Sequence, residues 1–223
     1  MRPPLSVDGN IAARKLAAID PVLAGVIDRV GPCPLVPAPE VDLFQALLRS
    51  IIYQQLHGKA AAAIHTRVLA LMPFANADAL QSLPDVSLRA AGLSANKLLA
   101  VRDLSARTLD ATIPSAGALA ELSDDELIER LTKVRGIGPW TVHMLMIFYL
   151  GRPDVMPAED FGIRKAFSLL YRRGRSVKPE AILRHSKRWQ PHRSAASWYL
   201  WRSLDPVLPW GSDRPPAQTQ EVP

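Results

Sequence analysis

The stretch LTKVRGIGPWTVHM, residues 131–144, decides how this chain folds. It sets Gly136 and Gly138 between a segment of helical periodicity and a proline that can open a second helix. Glycine has no Cβ, so it permits a tight turn and lets a foreign backbone come close. We expect Ile137, between the glycines, to fill the space between the two helices. The stretch therefore predicts two helices joined by a hairpin, within about residues 124–150.

The backbone amides of such a hairpin predict an anion-binding site. Amides in the hairpin and in the first turn of the next helix lack partners inside the helix, and a helix N-terminus favours negative charge. We therefore expect Gly136, Ile137 and Gly138 to hold a DNA phosphate, a contact that positions a protein without reading sequence. The alternative is a tight corner in which the glycines only satisfy backbone geometry.

Helical periodicity continues on both sides of this hairpin. No segment alternates convincingly with a period of two, so the sequence predicts an all-α fold. Ser123 and Glu126 form a capping-box pattern, and Asp20 before Pro21 predicts the start of another helix. The segments expected to be helical are 8–30 (two helices), 40–55, 58–71, a short one after 76, 94–109, 124–133, 139–150, one from 159 or 160, and about 191–204.

Length and composition limit the class of protein. The 223 residues, 48% of them hydrophobic, suffice for one large domain or two small lobes with a core. The sequence shows no signal-peptide pattern and no apolar run near the ~18 residues that span a membrane. We therefore expect no membrane association and a cytoplasmic protein, or a nuclear one in a eukaryote. The single cysteine, Cys33, is expected to be a buried apolar residue, and without ligand spacing among the histidines no metal site is expected.

Positive charge is concentrated in the C-terminal third of the chain. Residues 130–202 hold 15 Lys and Arg against four Asp and Glu, while the remainder holds 12 against 17. This asymmetry indicates a surface that faces a polyanion. The alternative is a solvated basic surface on an arginine-rich protein.

Four segments in the same order resemble the helix-hairpin-helix/GPD superfamily of DNA glycosylases, and within it the 3-methyladenine DNA glycosylase II branch. They are SIIYQQLHGKAA (50–61), the hairpin stretch (131–144), DVMPAEDFGIRKAF (154–167) and WQPHRSAASWYLWR (189–202). Together they cover most of residues 40–205. The resemblance implies an enzyme that removes damaged bases from DNA by cutting the bond between base and sugar.

The organisation of the chain follows from the same resemblance. We expect a central helical lobe over 40–151, a second lobe formed by 1–39 with 152–205, and an active-site cleft between the lobes. The Pro-rich segment 206–223 shows no periodicity and is expected to be a disordered tail. About 39 residues precede the core, so the additional N-terminal domain of this branch is expected to be missing.

Asp160 is the candidate catalytic residue. Breaking a base–sugar bond develops positive charge on the sugar, which a nearby carboxylate stabilises. Asp160 stands about where a helix begins, and a helix N-terminus favours a carboxylate. Glu159 is the competing carboxylate, but the resemblance of DFGIRK (160–165) to the family's aspartate segment favours Asp160. The alternative role for Asp160 is that of a helix N-cap.

The residue two positions after Gly138 distinguishes the two types of reaction known in this family, hydrolysis alone or hydrolysis with lyase activity. Bifunctional members of the family carry a nucleophilic lysine two positions after the second glycine of the hairpin. That position is Trp140 here, and an indole cannot act as an amine nucleophile. Lys133 and Lys165 lie outside the pattern. The resemblance therefore implies a monofunctional hydrolase without lyase activity.

A pocket for the flipped base and a wedge complete the implied site. Aromatic rings can bind a cationic alkylated purine by cation–π attraction. The implied pocket residues are Trp140, Trp201, Trp198 and Met144, the last of which stands where the family commonly has tyrosine. Gln55 takes the position of the intercalating residue. The alternatives are core packing for the tryptophans and a buried helix cap for Gln55.

These residues predict a monofunctional glycosylase for alkylated bases, of the 3-methyladenine and 7-methylguanine type, in base excision repair. The expected partner is double-stranded DNA, bound by a monomer. The alternatives are a glycosylase for mismatched or oxidised bases and a non-enzymatic helix-hairpin-helix module that binds DNA. No cofactor is expected, although the resemblance adds the option of a monovalent cation held by hairpin carbonyls.

Overall fold

The computed structural model describes residues 9–35, 42–114, 116–119 and 121–205. These residues form helices, turns and loops without a strand, which confirms the predicted all-α fold. None of their helices is long and apolar enough to cross a membrane. The predicted tail and the predicted lobe boundary at residues 39 and 40 lie outside the described ranges.

The helices follow the predicted order, with some additions. They are α1 (Gly9–Ile19), α2 (Pro21–Val30), α3 (Leu43–Tyr53), α4 (Gly58–Ala70), α5 (Ala77–Ser82), α6 (Asp85–Ala90), α7 (Ala95–Leu109), α8 (Ala116–Leu119), α9 (Asp124–Leu131), α10 (Pro139–Met144), a π-helical turn (Leu145–Tyr149), α11 (Phe161–Arg172), α12 (Pro179–Ser186), a 3₁₀ turn (Lys187–Trp189) and α13 (Arg193–Arg202). The sequence did not predict α6, α8 and α12, which have 6, 4 and 8 residues.

The predicted helix starts are confirmed where a side chain caps the helix. The side chain of Asp20 accepts hydrogen bonds from the amides of Val22 and Leu23 at the start of α2. At α9 both hydrogen bonds of the capping box between Ser123 and Glu126 are present. Such caps satisfy amides that a helix leaves unpaired at its first turn.

The described residues form two compact units, which we call unit A (42–151) and unit B (9–35 with 152–205). In unit A, α3 is buried along most of its length and packs against α4 and α7. The Lys97 Nζ atom, on α7, donates to the carbonyl of Ile52 over 2.6 Å. This bond fixes the end of α3, where the turn that carries Gln55 begins.

In unit B a buried carboxylate joins three parts of the chain. The Oδ2 atom of Asp20 accepts hydrogen bonds from Trp189 Nε1 over 2.9 Å and from the Tyr171 hydroxyl over 3.0 Å. Burial alone raises the pKa of Asp20, but these hydrogen bonds, the Leu23 amide and the nearby His185 outweigh it and leave the pKa below its usual value. Asp20 therefore links α2 to α11 and to the 3₁₀ turn as a carboxylate.

Cys33 is buried in the same unit, as predicted. Burial raises the pKa of its thiol to about 11. The thiol therefore stays protonated at neutral pH and acts as a small apolar side chain.

Candidate active site

The hairpin between α9 and α10 is a tight turn closed by apolar side chains. Gly136 has a φ of +82°, the left-handed region that favours glycine. Ile137 is 4% exposed and Val134 is 1% exposed, so both fill the interior beside the turn. The structure therefore confirms the packing expected of Ile137.

The hairpin amides differ in their availability. The Ile137 amide donates to the Val134 carbonyl over 3.0 Å, so it cannot serve a phosphate, contrary to the expectation from the sequence. The reason is that a turn this tight closes on itself with an internal hydrogen bond. Within the described residues, the amides of Gly136 and Gly138 donate no hydrogen bond.

The fold itself does not require a glycine at position 138. Its φ is −102°, which other residues adopt, and a Cβ built there would meet nothing within 4 Å. What the missing Cβ provides is open access to the half-buried Gly138 backbone from outside the protein.

Two side chains from other parts of unit A, one in the turn after α3 and one on α7, hold the hairpin in place. Gln54 Nε2 donates to the Gly136 carbonyl over 2.8 Å. Asp103 Oδ2 accepts hydrogen bonds from the Arg135 amide over 2.7 Å and from Arg107 Nε over 2.9 Å. Sequence reasoning missed both contacts because the partners lie 82 and 32 positions apart and leave no periodic signal.

Gln55, the predicted wedge, is exposed and has a φ of +57°. A left-handed conformation costs a residue other than glycine roughly 1–2 kcal/mol and tends to persist at functional sites. Because the neighbouring Gln54 is bonded to Gly136, the turn that carries Gln55 lies directly beside the hairpin. Unit A thus places the predicted wedge next to the predicted phosphate-binding residues.

Trp140 and Met144 both lie on α10. Trp140 is 50% exposed and Met144 is half-buried. The π-helical turn that follows Met144 was not predicted; such turns are rare and often occur at functional sites.

The loop before Asp160 is fixed to the start of α13. The Ser194 hydroxyl donates to the Arg152 carbonyl over 2.5 Å and accepts a hydrogen bond from the Val155 amide over 3.0 Å. Arg193 binds the Asp154 carboxylate with two hydrogen bonds, of 2.7 and 2.9 Å. These contacts hold the loop rigidly as it enters α11.

Asp160 is the N-cap of α11 and has a second partner. Its Oδ1 atom accepts a hydrogen bond from the Ile163 amide over 2.8 Å and another from Trp201 Nε1 over 2.8 Å. Asp160 is therefore a helix N-cap, which was the alternative role considered for it. This role does not account for the indole, which orients the carboxylate from a helix 41 positions away. The competing carboxylate, Glu159, is exposed.

Gly162 makes this contact possible. A Cβ at position 162 would lie 2.9 Å from Trp201 Cδ1 and 3.1 Å from Asp160 Oδ1, closer than real Cβ atoms comfortably approach. Sequence reasoning missed Gly162. The available signal was a glycine in the first turns of a helix, where it costs about 1 kcal/mol relative to alanine.

The two candidate tryptophans of α13 differ in their surroundings. Trp201 is half-buried and its indole N–H is bonded to Asp160. Trp198 is only 8% exposed; its ring packs edge-on against Tyr199 at 5.0 Å, with the Arg202 guanidinium 6.0 Å from its centroid. A role of Trp198 in a base pocket stays a prediction, with most of its ring packed in unit B.

The described residues also bear on metal binding. They contain no group of three or more His, Cys, Asp or Glu side chains that could hold a metal ion. The carbonyls of Val134 and Gly136 already accept hydrogen bonds from protein donors. Because each carbonyl oxygen has a second lone pair, a monovalent cation held by hairpin carbonyls stays a prediction.

Known proteins share both the sequence and the fold. Residues 48–191 match the HhH-GPD superfamily of base excision DNA repair proteins. DNA-3-methyladenine glycosylase 1 of Schizosaccharomyces pombe is 39% identical over 163 residues, 72% of each chain. Two solved structures resemble the chain: the S. pombe 3-methyladenine DNA glycosylase in complex with abasic DNA (TM-score 0.75, 35% identity, 86% of this chain and 96% of that one) and the DNA-3-methyladenine glycosidase of Bacillus halodurans (TM-score 0.76, 33% identity, 89% and 90%). The chain therefore belongs to the HhH-GPD superfamily of base excision DNA repair proteins.

Proposed function

We propose that this protein is a monofunctional DNA glycosylase that hydrolyses the N-glycosidic bond of alkylated bases, of the 3-methyladenine and 7-methylguanine type, in double-stranded DNA. One observation carries the proposal: the carboxylate of Asp160 is held at the start of α11 by the Ile163 amide and the Trp201 indole. The relatives support the substrate class, since they are named as 3-methyladenine glycosylases. One of them is bound to abasic DNA, the species that base removal leaves.

The chemistry follows from the charge on an alkylated base. A purine alkylated at N3 or N7 is cationic in the nucleotide and leaves as a neutral base, so its departure needs no proton from the enzyme. As the bond breaks, positive charge moves to the sugar, and the Asp160 carboxylate stabilises it. Because two donors fix Oδ1 beforehand, the carboxylate needs little reorganisation. Water then adds to the sugar carbon and releases one proton to the solvent, which leaves a neutral abasic sugar.

The hairpin supports a hydrolytic reaction without a covalent intermediate. Trp140 occupies the position that would need an amine for a Schiff base with the sugar. Water is therefore the nucleophile in our proposal, and the abasic strand is released uncut.

The other predicted residues receive roles in binding. The amides of Gly136 and Gly138 hold a phosphate, and Gln55 enters the gap that the flipped base leaves. Trp140 and Trp201 offer aromatic surface to a cationic base, at about 0.5–2 kcal/mol for a cation–π contact. A single copy of the chain suffices for these contacts.

Release of free base from a methylated duplex tests the proposal. We expect release of 3-methyladenine and 7-methylguanine, no release from mismatched or 8-oxoguanine duplexes, and no adduct after borohydride treatment. Activity confined to the mismatched or oxidised duplexes would favour another glycosylase class, and DNA binding without release would indicate a binding module. A borohydride-trapped adduct would contradict the hydrolytic mechanism.

Gly138→Ala should weaken DNA binding without weakening the fold. The new methyl group meets nothing in the protein but blocks the approach of a phosphate, so we expect an affinity loss on the order of tenfold. Anisotropy with a duplex that contains an abasic analogue measures the affinity, and urea unfolding measures stability. Gly25→Ala, also in open space but on α2, is the matched control and should bind normally. Equal affinity of Gly138→Ala and the control would remove the phosphate role.

Trp201→Phe should lower kcat more than it changes KM. Phenylalanine keeps an aromatic ring but removes the N–H that orients Asp160, and a hydrogen bond to a charged group is worth roughly 1.5–3 kcal/mol. We therefore expect kcat to fall about tenfold or more in steady-state base release. Trp198→Phe, which removes no bond to Asp160, is the control. A rise in KM alone would show that the indole binds base and does not position the carboxylate.

A further inference from the structure

Residues 172–188 carry a dense group of cations that the proposed site does not use. We call it the distal basic cluster; it consists of Arg172, Arg173, Arg175, Lys178, Arg184, Lys187 and Arg188, all exposed. Glu180 is the only acidic residue in this stretch. The stretch alone has a formal charge of +6, equal to the net charge of the whole chain.

The cations of this cluster are not neutralised by the fold. Elsewhere in the described residues arginines pair with carboxylates, as in Arg102 with Asp85 and Arg202 with Asp205. Across the described ranges, no side chain of the cluster makes an ion pair or a hydrogen bond. Concentrating like charge costs self-repulsion, and within the described residues no ion pair or hydrogen bond of these side chains offsets it.

Part of the cluster lines an open surface depression of about 390 Å³. Arg172, Arg175, Lys178 and Arg184 line it, together with Ser176, Val177, Glu180 and Ala181. The Ser168 hydroxyl donates to the Arg175 carbonyl over 2.7 Å and so holds the backbone on one side of this depression. A depression lined by four cations and one carboxylate, Glu180, carries net positive charge and suits phosphate groups.

The cluster lies far from Asp160 within unit B. Asp160 caps the first turn of α11, and Arg172 is the last of that helix's 12 residues. At 1.5 Å per residue, the two ends of α11 are about 18 Å apart. This separation equals about five base pairs of DNA at 3.4 Å each. Arg172, where the cluster begins, is therefore outside the immediate surroundings of the reacting nucleotide.

We propose that the distal basic cluster binds DNA phosphates other than those around the reacting nucleotide. They belong either to the same duplex, beyond about five base pairs from the lesion, or to a second duplex. The inference rests on the proposed function, which places Asp160 at the reacting nucleotide. Such contacts do not depend on sequence and keep the enzyme on DNA while it searches.

The composition of the surface favours DNA over an acidic protein. Protein interfaces centre on buried aromatic and apolar side chains, whereas DNA interfaces are polar and strongly positive. Leu183 is the only large apolar side chain exposed within 172–188, at 43%. The remaining exposed side chains there are almost all charged.

The double variant Arg175→Gln/Lys178→Gln tests the proposal with little risk to the fold. Both residues lie outside the helices, and their side chains make no hydrogen bond in the described structure. Lys15→Gln/Arg29→Gln is the matched control, because it removes the same charge from exposed positions on α1 and α2 of the same unit. Urea unfolding should give equal stability for the two variants.

Three DNA arms distinguish the sources of phosphate. The first is a short duplex that ends about four base pairs from a central abasic analogue, and the second extends about 15 base pairs on each side. In the third, a labelled undamaged duplex is added to the complex of the protein with the short duplex. Affinity is measured at several salt concentrations, and poly-glutamate replaces the labelled duplex in a parallel sample.

For phosphates of the same duplex, the cluster variant should bind the long duplex at least about fivefold more weakly than the control, with a salt slope lower by about two, and bind the short one equally. For a second duplex, only the variant should fail to capture the labelled DNA. If the cluster variant and the control bound the long duplex equally and captured the second duplex equally, the proposal would be overturned. Capture of poly-glutamate but not of DNA would also overturn it.

Base release from the short duplex should be unchanged in the variant. If the wild type released no base, the proposed function would fail, while the binding arms would still decide on the cluster.

Discussion

Replacing Asp160 by asparagine is expected to lower the rate of base release by on the order of 100-fold or more while leaving the fold intact. Asparagine caps a helix about as well as aspartate, and its side-chain oxygen can accept the same two hydrogen bonds. The substitution therefore removes the negative charge and little else. In the proposed mechanism this charge stabilises the developing cation on the sugar, so the loss should fall on the chemical step.

Single-turnover release from a methylated duplex at saturating enzyme measures this step, and binding to an abasic analogue shows whether DNA is still held. Asp160→Ala separates the two roles of the residue, because it also removes the cap and should cost about 1 kcal/mol of stability. Glu159→Gln neutralises the neighbouring exposed carboxylate and should leave the rate unchanged. A wild-type rate for Asp160→Asn, or a large loss for Glu159→Gln, would assign catalysis elsewhere.

The sequence predicted those features that depend on neighbours along the chain. The hairpin, the Asp20 cap and the capping box at Ser123 each need only a few adjacent residues of the right type, and the structure contains all three. The same local logic failed for the Ile137 amide. A turn tight enough to hold Gly136 at positive φ also closes its own hydrogen bond, from the Ile137 amide to the Val134 carbonyl.

Features that depend on distant partners could not be predicted in this way. The bond from Trp201 to Asp160 spans 41 positions, and Gly162 has a role only once the indole lies over it. The contact of Gln54 with Gly136 likewise depends on how α3 packs in unit A. Resemblance to a family placed Trp201 at the site as a pocket aromatic, but only the structure gives its indole N–H a partner.

Asp20→Ala should cause the largest loss of stability of any single substitution considered. The Asp20 side chain is 2% exposed and accepts hydrogen bonds from two amides, Trp189 Nε1 and the Tyr171 hydroxyl. Removing this side chain leaves buried donors without an acceptor, which typically lowers the free energy of unfolding by about 3–5 kcal/mol. Asp42→Ala is the control: Asp42 is also an N-cap but is exposed and accepts one hydrogen bond, so about 1 kcal/mol is expected.

The stability that Asp20 contributes should also depend on pH. Because the folded pKa of Asp20 lies below the ordinary value of 3.8, its contribution to stability is complete above that pH and is lost as the pH falls through the folded value. The difference in the free energy of unfolding between wild type and Asp20→Ala, measured with urea, should therefore narrow as the pH falls below 3.8. Equal losses in Asp20→Ala and Asp42→Ala would contradict this account. Tyr171 lies on α11, the helix that Asp160 caps, so Asp20 also links α11 to α2. Asp20→Ala should therefore lower the temperature at which base release fails without changing its rate at low temperature.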